Sequence, residues 1–63
     1  MKFTVTFDVP CDEHAFWFEV VAATLTVLRE VSDEIEESGC ADNNVRDING
    51  NRIGNWGFDV TKP

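Results

Sequence analysis

Phe3, Val5, Phe7 and Val9 alternate with Lys2, Thr4, Thr6 and Asp8, the period of two that a strand shows when one face is buried and the other is wet. Pro10 cannot donate to a ladder, and Pro10-Cys11-Asp12-Glu13-His14 is polar enough to turn the chain. The next segment, Ala15 to Ala22, is rich in aromatic and β-branched residues, which favours a second strand. In that strand Phe16, Phe18, Val20 and Ala22 point inward, and Trp17, Glu19 and Val21 occupy the other face. As a helix, Ala15 to Ala22 would bury residues almost all round; the rival is one long helix over residues 13–38.

From Leu25 the period lengthens. Leu25, Leu28, Val31 and Ile35, with Val27 alongside, form a helical stripe, and Arg29, Glu30, Asp33, Glu34 and Glu37 face away from it. Thr24 is the expected N-cap and Gly39 the left-handed residue after the last turn. Asp42-Asn43-Asn44 reads as a loop. Asp47-Ile48-Asn49-Gly50 has the residues of a type I turn, with Gly50 at the bulge position of a three-residue hairpin loop. That register sets Asp47 opposite Asn51 and Val45 opposite Ile53. The last strand runs from Arg52 to Val60, with Gly54 and Gly57 marking bulges or close backbone approach. Thr61-Lys62-Pro63 is expected to fray.

These elements predict an α+β domain spanning residues 1–63. Its order is ββαββ, a four-stranded antiparallel sheet with one helix on one face; the rival helix makes it βαββ. The expected core is Phe3, Val5, Phe7, Phe16, Phe18, Val20, Leu25, Leu28, Val31, Ile35, Val45 and Ile53. Trp17, Val21, Trp56 and Phe58 would then populate the uncovered side of the sheet, an aromatic surface suited to contact.

Composition narrows what such a domain can do. A chain of 63 residues buries only about 60% of its unfolded surface, which allows one small core. Twelve acidic residues against five basic ones give a net charge of −7, so direct binding to a phosphate backbone is disfavoured. The start of the chain lacks the continuous apolar block of a secretory signal, and no run of about 18 apolar residues could span a bilayer. The expectation is a cytoplasmic protein with Cys11 and Cys40 as reduced thiols.

Motifs for chemistry are sparse. Cys11, His14 and Cys40 supply three ligand types where structural zinc needs four, so no metal site is assigned. Asp47-x-Asn49-Gly50 begins like a calcium loop, but Val45 and the absence of a closing glutamate break the pattern. The single histidine has no nucleophile placed for it, and carboxylates on an exposed helix face are rarely tuned for acid–base work. The chain is therefore read as non-enzymatic, with no catalytic residue and no cofactor.

The concentrated signal is acidic: Glu30, Asp33, Glu34, Glu36 and Glu37 crowd the end of the helix, where negative charge opposes the helix dipole. Glu13-His14, Phe18-Glu19-Val20 and Ala23-Thr24-Leu25 resemble the pattern in small acidic bacteriophage host-takeover proteins, in particular phage inhibitors of bacterial RNA polymerase, over residues 3–38. That resemblance implies a protein that acts by binding, without catalysis, in the host cytoplasm. The expected partner is a host protein with a basic groove, such as a polymerase, a CRISPR effector or a restriction complex, met by the five carboxylates in imitation of phosphates. The alternative is self-association into a homodimer or assembly through Trp17 and Trp56.

Overall fold

The computed structural model of the chain describes residues 1–59; the expectations for Val60 and for the fraying end 61–63 lie outside them. The order is β1 (Lys2–Phe7), α1 (Trp17–Ser38), β2 (Asp42–Arg46) and β3 (Arg52–Asp59). The fold is α+β, with one helix and a three-stranded antiparallel sheet in which β3 lies between β1 and β2. This is the βαββ order of the rival reading, and among the described residues there is no strand over 15–22. At 22 residues, α1 is about 33 Å long.

The aromatic segment joins the helix because a helix does not have to bury every apolar residue it carries. Phe16 is the N-cap, with extended backbone angles (φ −67°, ψ 152°). Its side chain offers no acceptor, and the Glu19 carboxylate instead receives the Phe16 amide at 3.2 Å, one half of a capping box. Thr24 is thus mid-helix rather than a cap: its hydroxyl donates to the Val20 carbonyl at 2.7 Å, as Thr26 does to Ala22 at 2.9 Å. Gly39 ends the helix at φ 66°, as the sequence suggests.

Among the described residues four are buried: Val27, Val31, Val45 and Trp56. Val5, Phe7, Ile35, Ile53 and Phe58 pack around them. The helix therefore meets the sheet along Val27, Val31 and Ile35, rotated from the expected stripe. Leu25 and Leu28 stay exposed, as do Phe16 and Phe18.

The hairpin explains the exchange of faces. Gly50 donates its amide to the Asp47 carbonyl at 3.0 Å, Asp47 pairs with Asn51, and Gly50 sits at φ 84°, so the turn is as read from the sequence. Beyond it, Arg46 opposes Arg52 but Val45 opposes Gly54, leaving Ile53 as an extra residue in a bulge. That one-residue slip exchanges the faces of β3. Trp56 turns inward opposite Val5 and Phe58 opposite Phe3. The uncovered face carries instead Thr4, Thr6, Asn44 and Asn55, by the alternation of the paired strands.

Candidate functional site

The expected Trp17/Trp56 surface does not form. Trp56 is 2% exposed in the core, whereas Trp17 is 77% exposed in the first turn of α1. The open face of the sheet is polar, and the longest run of exposed apolar side chains lies on the helix, with Met1, Phe3 and Ile48 exposed elsewhere.

Along α1, Trp17, Phe18, Val21, Leu25 and Leu28 all remain exposed. Phe18, Val21, Leu25 and Leu28 follow the spacing three, four, three, which sets them in one stripe. This stripe lies roughly 100° to 180° around the axis from Val27, clear of the sheet. Both buried helix residues, Val27 and Val31, are in the C-terminal part. From Trp17 to Thr26 no side chain is fully buried, so this half of the helix has no core of its own. At its start the Phe16 and Phe18 rings stack with centroids 5.8 Å apart and planes within 6°, which presents a broad aromatic surface. The sequence contained this stripe, but the expectation that large apolar residues go inward concealed it.

The carboxylates divide into two groups. Glu30, Asp33, Glu34 and Glu37, with Ser38, line one shallow open surface. Glu34 is partly buried, and the other three are exposed. Glu36 follows Glu34 by two residues, about 200° around the helix, and belongs to the other side. The last turn holds no basic residue. Among the described residues the only contact between oppositely charging groups joins His14 Nε2 to Glu13 Oε1 at 3.8 Å, both in solvent. Among the described residues Arg29 thus meets no carboxylate, and no cation forms an ion pair with the acidic surface, though Arg46 shares a cleft with Glu30 and Glu34.

The remaining candidates stay apart. Cys11 and Cys40 are free and exposed, and among the described residues no three histidine, cysteine, aspartate or glutamate side chains converge as a metal site. Asp47 spends its carboxylate on the hairpin, where Oδ1 accepts the amides of Asn49 and Asn51, each at 2.9 Å. No helix of the described residues is long and apolar enough to cross a membrane. Comparison with protein families, characterised proteins and solved structures finds no match for this chain.

Proposed function

We propose that the chain is a small, non-enzymatic protein-binding module that engages its partner through the apolar flank of α1. The observation that carries this reading is the exposure of Trp17, Phe18, Val21 and Leu25 on the part of the helix without a buried residue, with exposed Leu28 continuing the stripe beyond it. Contiguous exposed surface of this kind, rich in aromatics and bordered by polar residues, is the composition of a protein interface. The shallow relief elsewhere and the placement of His14 in solvent support binding over catalysis.

A second reading has its own observation. Glu30, Asp33, Glu34 and Glu37 share a surface on which no ion pair forms among the described residues, which suits a basic groove made for phosphates. On that reading the chain is a phage-type inhibitor of a host nucleic-acid-handling complex, acting in the cytoplasm by mimicry. Such binding weakens with salt, whereas binding through the apolar flank does not.

Two variants separate the readings in a pull-down from bacterial lysate at low and high salt, with folding checked by circular dichroism. One carries Phe18→Ser and Leu25→Ser; the other carries Glu30→Lys, Asp33→Lys and Glu37→Lys. Loss of the retained partner in the first alone supports the apolar flank. Loss in the second alone, with salt-sensitive retention by the native chain, supports mimicry and removes the apolar reading.

A further inference from the structure

We infer that the occupant of the apolar flank is a second copy of this chain, its helix lying antiparallel across the first with the pair centred near Ala23. This rests on the reading of that flank as a contact surface and adds the partner and its geometry.

The area is sufficient. Trp17, Phe18, Val21, Leu25 and Leu28 are between 37% and 77% exposed. With aromatic side chains presenting about 150–250 Å² each, the flank offers roughly 600 Å² per copy. A symmetric pair would bury about 1,200 Å², which reaches the range of stable interfaces. The seam is also self-complementary. Reversed about residue 23, the stripe places Phe18 against the second copy's Leu28 and Val21 against its Leu25, an isologous contact. Large and smaller side chains then alternate across it.

Charge selects the direction. Every copy carries five of the six carboxylates of α1, all but Glu19, in the C-terminal half of the helix, with no basic residue in the last turn, and a net charge of −7. Parallel pairing would set two acidic ends side by side. Antiparallel pairing keeps them apart and opposes the helix dipoles favourably. It also brings Arg29, which meets no carboxylate among the described residues, level with the second copy's Trp17, where a guanidinium can lie on an indole ring. A protein with only four buried residues among those described gains most from a contact that covers the bare end of the helix.

The test is sedimentation equilibrium of the native chain, combined with a distance between spin labels. The labels are placed at Ser32→Cys in a background of Cys11→Ser and Cys40→Ser. Ser32 is exposed and nine residues from the proposed centre. The expected result is a doubling of the 7.1 kDa mass that strengthens with salt, as like-charge repulsion is screened. The labelled backbones should lie about 27 Å apart at 1.5 Å per residue. The Phe18→Ser, Leu25→Ser variant should remain helical and sediment as a monomer. A native chain that stays monomeric to millimolar concentration overturns the inference. So does a label separation near 10 Å, which means parallel pairing, or a dimer that persists in the folded serine variant. If the chain is monomeric but its flank is still required for capture of another protein, only the self-pairing fails; if neither holds, the flank is not a contact surface.

Discussion

Gly54 lies directly opposite Phe7 across the β1–β3 ladder, so close that a Cβ at position 54 would stand 2.5 Å from Phe7 Cα and nearer still to the Thr6 carbonyl oxygen. The same glycine pairs with Val45 on its other side. The adjacent Ile53 bulge and this close approach together set the phase of β3. Without them, Trp56 would not reach the core.

Gly54→Ala should therefore destabilise the fold by at least about 2–3 kcal/mol, because backbone rather than a flexible side chain occupies the space. Gly57→Ala is the control. A Cβ there meets the Asp42 Cβ at 3.2 Å, a contact that a small shift relieves. Urea denaturation of both variants checks the difference; equal losses would mean that the close approach at Gly54 does not hold in solution.

Trp56 carries its own internal test. Its indole N–H is buried and has no hydrogen-bond partner among the described residues, so its packing is bought against the desolvation of a polar group. Trp56→Phe removes the unpaired donor and keeps most of the ring contacts with Phe3 and Phe58. It should cost less than about 1.5 kcal/mol. Trp56→Ala should cost about 3–5 kcal/mol, enough to unfold a chain with so few buried residues. Thermal melts followed by far-UV circular dichroism distinguish the two.

Several features were legible in the residues themselves. The alternation from Lys2 to Asp8, the Gly39 cap and the Asp47–Gly50 turn each follow from local chemistry and appear where expected. Asp42-Asn43-Asn44 read as a loop but opens β2, and two further steps were not legible. Residues 15–22 read as a strand on the premise that their aromatic side chains must be buried, and α1 leaves them in solvent. The phase of β3 depends on a bulge at Ile53, which local sequence does not announce and which moves Trp56 from the surface to the core. The expected aromatic surface was consequently divided: Trp17 lies exposed along the helix, whereas Trp56 is buried and Phe58 packs against it. Of the five clustered carboxylates, four share a surface and Glu36 does not.

The two ends of α1 call for charges of opposite sign. Phe16→Asp supplies the missing cap acceptor and a negative charge at the N-terminus, and should stabilise the helix by about 1 kcal/mol. It also removes the ring stacked on Phe18, so the melting temperature should rise while association weakens. Sedimentation and thermal melting on the same sample read both effects. A variant that gains stability without losing association would place Phe16 outside the contact.

At the other end, Glu36→Lys and Glu37→Lys should each raise stability by about 0.3–1 kcal/mol, since the last turn has only acidic charge facing the negative pole of the dipole. Chemical denaturation at low ionic strength shows this best. The gain should shrink in salt, where the dipole interaction is screened.

The exposure of Trp17 is the most direct measure of whether α1 is a contact surface for a second copy. In the Trp56→Phe variant Trp17 is the only tryptophan, so acrylamide quenching of its fluorescence reports that one side chain. As protein concentration rises, quenching should fall and the emission should shift to the blue, both reversing in the Leu25→Ser background. A Trp17 that stays freely quenched at every concentration would contradict pairing through the helix flank.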